Sequence, residues 1–312
     1  MKNILITGGA GMIGFELAKQ LSRKNKVIVF DLPEKIKKIK TIKKNKNILF
    51  FPGSILEKSA IYNACNNIET VFHLGAMLGV QNTENDKLKC IEVNVEGTKN
   101  VLDASIITKV KKIIFASSSE VYGEPKENPI TEKTTTQGKT VYGISKLLGE
   151  ELCKAYHQKF GINYTILRYF NCYGPRQEKQ FVITNFINNV KNNKSPKING
   201  SGKQIRSYTY VSDTARATAG CLDNPKTNNM TLNIGNGKEP INLIDLATLI
   251  IKSINKDKIL RPTIIKNFKG TDRKKNREIY FRYCDSSLAQ RILKWKPKIK
   301  INEGIKMIIN EK

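Results

Sequence analysis

Tyr142 and Lys146 stand four residues apart in "TVYGISKLL". On an α-helix, residues i and i+4 project from one face, so a phenol and an ammonium can meet the same ligand. A nearby positive charge lowers a phenol's pKa and makes tyrosine a usable base near neutral pH. The spacing alone is weak evidence, since Tyr122 and Lys126 share it. Pro125 lies between those two and forbids a regular helical turn. The 142–160 stretch instead carries Ile144, Leu147, Leu148, Leu152 and Ala155 along an apolar side, the pattern of an amphipathic helix. A second candidate is Glu120 in "ASSSEVYG", just after the apolar run 113–115. It reads either as an exposed loop carboxylate or as a base at the C-terminal end of a strand.

A third constellation is Gly8, Gly11 and Gly14 in "NILITGGAGMIGFELAKQL". The pattern follows an apolar strand and opens a helix, the context a dinucleotide-binding turn requires. The first glycine makes the turn, the second lets the backbone approach a pyrophosphate, and the third lets helix and strand pack closely. Free N–H groups at the helix start would face the phosphates. Asp31 ends the next apolar run. A carboxylate there accepts hydrogen bonds from ribose hydroxyls and repels a 2′-phosphate, which points to NAD over NADP.

The elements that must hold these groups alternate. Apolar runs at 3–7, 27–31, 48–51, 70–74, 112–116 and 163–169 read as strands, and amphipathic stretches at 13–23, 59–66, 93–107 and 142–160 as helices. That rhythm predicts an α/β fold with a Rossmann-type, doubly wound parallel sheet. After "NCYGPRQ" (171–177) the rhythm breaks. "KNNKSPKINGSGK" is loop-like, "LIDLATLIIKSI" is helical, "RKKNRE" is a charged loop, and the lysine-rich 33–46 stretch reads as a solvated helix or loop. The expected division is a cofactor domain over 1–172 and a smaller C-terminal substrate lobe over 173–312, with segments after about 204 returning to the first.

The formal charge is +27, which raises nucleic acid as a partner. The basic residues are scattered, with one dense block at 35–46. Net charge speaks to solubility and association rather than fold, and a small anionic ligand such as a nucleotide diphosphate suits the same balance. No nucleic acid partner is expected. The six cysteines (65, 90, 153, 172, 221, 284) form no CxxC pair and there are two histidines, so no metal site is indicated. Scattered thiols suggest a reduced, cytoplasmic setting. The start reads as a strand rather than a signal peptide, and no run approaches the roughly 20 apolar residues of a membrane span.

Taken in order, "TGGAGMIG", "VFHLGA", "NVEGT", "SSSEVYG", "YGISK", "RYFNCYGPRQ", "RSYTYVSD" and "NIGN" resemble the extended short-chain dehydrogenase/reductase family, in particular its nucleotide-sugar epimerases, dehydratases and decarboxylases. The resemblance implies that Ser118 is the catalytic hydroxyl, Tyr142 the base and Lys146 its partner. It implies NAD contacts from Gly8, Gly11, Met12, Ile13 and Gly14, from Asp31 and Leu32, and from Ser54 and Ile55. Leu74, Gly75, Ala76, Asn94 and Ser117 complete that set with Tyr142 and Lys146, and Tyr169 and Phe170 flank the nicotinamide. Asn171, Asn185 and Arg206 would hold the nucleotide diphosphate of the substrate, with Arg273 or Arg277 completing the clamp. Ser54 and Gly75 depart from the family's usual Asp and Ala. A homodimer pairing helices 93–107 and 142–160 is also implied.

The chemistry the resemblance implies begins with oxidation of a sugar hydroxyl, usually at C4. A 4-epimerase is the leading reading, acting through a transient 4-keto sugar on tightly bound NAD. Glu120 leans away from it: family dehydratases use a Glu there at C5, and decarboxylases often carry Thr–Ser–Glu. A dehydratase with Glu120 as base and a uronate decarboxylase are the alternatives. A non-catalytic NAD sensor and an RNA binder are the remote ones.

Overall fold

A computed structural model describes residues 1–39, 45–265 and 279–311. Six parallel strands in the first half share one sheet: β1 (Asn3–Thr7), β2 (Lys26–Asp31), β3 (Ile48–Pro52), β4 (Thr70–His73), β5 (Lys112–Ser118) and β6 (Asn163–Tyr169). Their order is β6-β5-β4-β1-β2-β3, and a seventh parallel strand, Met230–Ile234, adds beside β6. β4 is buried throughout and β5 nearly so, as parallel strands covered by helices on both faces must be. The order reverses between β1 and β4, and the crevice above that point is where open α/β sheets take ligands.

The connecting helices are α1 (Met12–Leu21), α2 (Pro33–Lys37), α3 (Lys58–Ala64), α4 (Val80–Asn85), α5 (Lys87–Ile91), α6 (Gly97–Ile107) and α7 (Val141–Phe160). One face of the sheet is covered by α1 with Val211–Ala219 and Ser287–Leu293. The other is covered by α3, α6 and α7. The predicted helix over 93–107 divides: a π-helical turn, Glu92–Glu96, precedes α6. Such turns concentrate at functional sites, and this one carries Asn94.

The second lobe packs helices Val182–Lys191, Leu243–Ser253 and Ile301–Ile309 around Phe186, Ile187, Val190, Leu246 and Ile250. The stretch expected to be loop-like holds a short strand, Lys197–Asn199, paired with Thr263–Ile265. Ile205–Arg206 lies between Ile241–Asn242 and Phe281–Arg282. The chain re-enters the first lobe at Val211–Ala219, Met230–Ile234 and Ser287–Leu293. Of the lysine-rich stretch, Pro33–Lys37 is helical and 40–44 lie outside the described residues, as do Arg273 and Arg277 with all of the "RKKNRE" stretch. Among the described residues no helix is long and apolar enough to cross a membrane.

Candidate active site

Two glycines seat α7. A Cβ on Gly149 would lie 2.4 Å from the Phe115 ring, and one on Gly143 2.7 Å from the Glu120 carbonyl oxygen. Overpacking of this kind costs about 1–3 kcal/mol, so the absent side chains let α7 lie on β5 and against the turn after it. Thr140 caps the helix, its Oγ1 accepting from Gly143 N at 3.0 Å. Lys146 is thereby driven into the interior, 4 % exposed, and its Nζ donates to the Ala116 carbonyl at 2.9 Å. Nζ also lies 5.0 Å from the Phe115 ring centroid and 5.9 Å from that of Tyr142. Burial pulls the ammonium down to about 8, since desolvation disfavours the charged form.

Tyr142 meets Ser118 and Glu120 at the mouth of β5. Its hydroxyl hydrogen-bonds Ser118, whose Oγ also accepts from Glu120 N at 3.2 Å and starts the 3₁₀ turn Ser119–Tyr122. Burial and then the charge of Glu120 raise the phenol above its ordinary pKa, while the Ser118 hydrogen bond and the Arg282 charge act to lower it. Glu120 therefore sits in the site, not in open solvent, with its side chain 18 % exposed. Its Oε1 lies 2.7 Å from Nη1 of Arg282, whose side chain is 7 % exposed. That approach is an ion pair without hydrogen-bond alignment, because Nε and Nη1 of Arg282 make no hydrogen bond. A buried guanidinium with unspent N–H groups costs free energy and is the most unusual feature of the site.

The competing Tyr122 is fully buried. Its hydroxyl accepts from Arg168 Nη1 at 2.8 Å and donates to Asn233 Oδ1 at 2.7 Å. Arg168 in turn forms a two-point pair with Glu150 at 2.9 and 2.6 Å, and Ser117 Oγ donates to Glu150 at 2.5 Å. Tyr122 thus belongs to a buried brace beneath the catalytic strand. Ser117, expected at the cofactor, donates its hydroxyl proton to that brace.

The dinucleotide crevice has a backbone that glycine permits. Gly8 has φ +65, and a Cβ there would lie 2.7 Å from Gly75 N; one on Gly14 would lie 2.3 Å from Gly8 O. Gly11 is different: its Cβ would meet one atom, Gly8 O at 3.2 Å, so its outer side stays open for a ligand. Asp31 Oδ2 accepts from Ala10 N at 3.0 Å and Oδ1 from Leu32 N at 2.8 Å. The carboxylate is fixed across from the glycine turn, and burial raises its pKa. Ser54 Oγ accepts from Leu56 N at 3.2 Å, shaping the loop that carries Ile55. Asn94 clamps the loop of Leu74, Gly75 and Ala76 by exchanging hydrogen bonds with Met77 at 2.7 and 3.1 Å. Its Nδ2 also donates to Ser145 Oγ at 3.0 Å, tying that loop to α7. Beneath it, Thr7 donates to His73 Nδ1 (2.6 Å), and His73 Nε2 donates to Thr98 Oγ1 (3.0 Å), which donates to Asn94 O (2.6 Å). Full burial holds the imidazole neutral, at about 3. These residues fit a dinucleotide lying across the β1/β4 switch point.

The remaining predicted contacts are placed less directly. Tyr169 turns its hydroxyl to Thr218 at 2.8 Å, on the α1 side of the sheet. Phe170 is fully buried with Val121, Tyr122, Ile130 and Cys284. Asn171, at φ +32, donates from Nδ2 to Ser207 O at 3.0 Å. Asn185 is exposed, accepting from Asn189 at 3.0 Å. Arg206 is 6 % exposed and donates to the carbonyls of Ile205, Tyr280 and Ile279 at 2.8, 3.3 and 2.6 Å. In this structure its guanidinium holds the strand that carries Arg282. Sequence reasoning missed Arg282, the Glu150–Arg168 pair, His73 and Arg176. Arg282 has no local signal, because its partner lies more than a hundred residues upstream.

The sequence profile of the GDP-mannose 4,6-dehydratase family matches residues 5–308. A UDP-N-acetyl-α-D-glucosaminuronate decarboxylase of Bacillus cytotoxicus is 40 % identical over 76 % of this chain and 76 % of its own. The structure of UDP-glucose 4-epimerase from Thermotoga maritima, with UDP-glucose, superposes with a TM-score of 0.87 at 30 % identity, covering 98 % of this chain and 97 % of that one. UDP-glucuronic acid 4-epimerase of Bacillus cereus, solved with UDP-glucuronic acid and NAD, gives a TM-score of 0.89 at 29 % identity over 99 % and 98 %. A profile match over nearly the whole chain, together with these relatives, shows that this chain belongs to the GDP-mannose 4,6-dehydratase-type family of extended short-chain dehydrogenase/reductases.

Proposed function

We propose that this enzyme uses NAD to oxidise a nucleotide-diphosphate hexuronate at C4 and then releases the sugar carboxylate as carbon dioxide. The observation that carries this reading is Arg282: a buried guanidinium whose charge is felt by Tyr142, ion-paired through Nη1 with Glu120 and with Nε making no hydrogen bond. A neutral hexose offers such a group nothing strong. A carboxylate on C5 offers charge-assisted hydrogen bonds, the stronger kind. The relative at 40 % identity is a decarboxylase of an amino-sugar uronate.

NAD, when bound, supplies the acceptor and later the donor of the C4 hydride. Tyr142 removes the C4 hydroxyl proton, with Ser118 hydrogen-bonded to the same oxygen. Lys146 holds positive charge beneath the phenol and favours its ionised form. The resulting 4-keto uronate is a β-keto acid. Cleavage of its C5–carboxyl bond leaves the electron pair on C5, spread onto the C4 oxygen, where the Ser118 and Tyr142 hydroxyls stabilise it. A proton from water, relayed by Glu120, then adds at C5, and Tyr142 returns its proton when C4 is reduced. Glu120 has a second effect. By occupying part of Arg282 it denies the substrate carboxylate full neutralisation and sets a fixed negative charge near it, which the loss of carbon dioxide relieves.

The 4-epimerase that led the sequence reading is the second reading, and the same arginine favours it in one way: a carboxylate held firmly on Arg282 would stay on the sugar. A panel of UDP- and dTDP-linked glucuronate, galacturonate, glucose and N-acetylglucosamine, followed by trapped carbon dioxide and product NMR, separates the outcomes. Carbon dioxide with a pentose product is expected. A C4-inverted hexuronate without gas selects the epimerase, and turnover of neutral hexoses alone overturns the uronate reading.

A further inference from the structure

Residues 174–180 leave the sugar end of the site and cross the C-terminal edge of the sheet before entering the helix Val182–Lys191. On the way they touch three loops that edge the dinucleotide crevice. Arg176 Nη2 donates to Ala10 O at 2.8 Å, in the glycine turn, and its guanidinium stacks 4.5 Å from the Phe15 ring centroid on α1. Glu178 pairs with Lys35 at 2.9 Å, in the short helix that follows Asp31 and Leu32. The side chain of Gln180, itself donating to Glu178 at 2.7 Å, lies against Gly79 of the β4 loop, where a Cβ would come within 2.8 Å of its Nε2. Arg176 holds this course in the left-handed region, at φ +66, which costs an arginine strain unless its contacts over-determine it.

We propose that 174–180 is a strap that retains the dinucleotide, with Arg176 as its pin and the Lys35–Glu178 pair as an outer latch. A dinucleotide at the switch point lies between the glycine turn, the Asp31 loop and the β4 loop, and the strap bridges these three edges. Arg176 brings a cation to the turn that would carry the pyrophosphate. The strap also continues directly into the helix Val182–Lys191 of the second lobe. The proposal rests on NAD in this crevice and is independent of which sugar is turned over.

The test is the release of NAD, read without turnover. Protein loaded with NAD is mixed with excess ADP-ribose, and free NAD is followed with time. Arg176→Gln is expected to speed release by about tenfold or more. Lys35→Gln and Glu178→Gln should each speed it up to about fivefold, the ceiling for an exposed ion pair. Their double variant should be no faster than either single, since they share one interaction. Raising salt should speed release in the wild type and leave the Lys35→Gln/Glu178→Gln double variant unmoved, apart from any change shared by both. Release within twofold of wild type in Arg176→Gln, with unchanged circular dichroism, overturns the proposal. If Arg176→Gln does not fold, the salt response and the exposed-pair variants decide alone, and additive effects or no effect there overturn it equally.

Discussion

Replacing Arg282 by glutamine removes the charge and keeps most of the side-chain bulk. Arg282 is 5 % exposed, so what it gives a ligand is scarcely discounted by solvent. Hydrogen bonds to a charged group contribute about 1.5–3 kcal/mol, equal to about 10- to 150-fold in an equilibrium or rate constant. A uronate substrate should therefore lose that factor in kcat/KM, while a neutral nucleotide hexose should lose little affinity. The variant also leaves Glu120 without its cation. Breaking a fully buried pair costs about 3–5 kcal/mol; with the Glu120 side chain 18 % exposed, the lower end of that range or less is expected, a loss of several degrees in Tm. A third consequence concerns pH. The Arg282 charge acts to lower the Tyr142 pKa and the Glu120 charge to raise it. Without Arg282 the phenol needs a higher pH to ionise, so the acid limb of the pH–rate profile moves upward. Initial rates on a uronate, titration calorimetry with a neutral analogue, and the pH profile together test the reasoning. Equal losses for uronate and neutral ligands would refute a carboxylate-reading role and reduce Arg282 to a structural group.

Tyr142→Phe should lower hydride transfer by about 10²–10⁴-fold, the usual worth of a general base, with nucleotide-sugar binding nearly unchanged; near-normal turnover would exclude Tyr142 as the base. Tyr122→Phe strands Arg168 Nη1 and Asn233, so it should cost about 1–3 kcal/mol of stability in denaturant melts while the folded variant keeps its chemistry. Asp31→Ala should narrow the preference for NAD over NADP, and near-equal dissociation constants already in the wild type would contradict its assigned role. Burial pulls the Lys146 ammonium down from its ordinary 10.5 to about 8. Its stabilising contribution is therefore present above pH 10.5 and lost as pH falls through 8, so wild type should gain on Lys146→Met between those values in paired melts. Ile144 and Leu148 on α7 and Ile107 at the end of α6 are exposed; a dimer in solution that becomes monomeric on Leu148→Lys, judged by light scattering, would place the subunit contact there.

Much of this protein is decided locally. The strands follow from unbroken apolar runs and most helices from one-sided ones; α7 differs, since it buries Gly143, Ser145, Lys146, Gly149 and Glu150 and leaves Ile144 and Leu148 of its apolar side exposed. The glycine turn, Asp31 and the Tyr142–Lys146 pair are legible because each acts through neighbours within a turn or one strand–helix unit. Even Tyr122 could be set aside from Pro125 alone, and the buried brace supplies the positive reason. Other features belong to no local pattern. Arg282 faces Glu120 because the segment that leaves the second lobe runs beside Ile205–Arg206 and returns its side chain to the mouth of β5. Ser117 and Ser118 are adjacent in sequence, yet one hydroxyl goes to Glu150 and the other to Tyr142, two turns apart on α7. Arg176 reaches the glycine turn only once two lobes have closed. An ion pair or a hydrogen bond acts over a few ångströms and is indifferent to separation along the chain. Residues whose partners are remote in sequence therefore acquire their roles only when the whole fold brings them together.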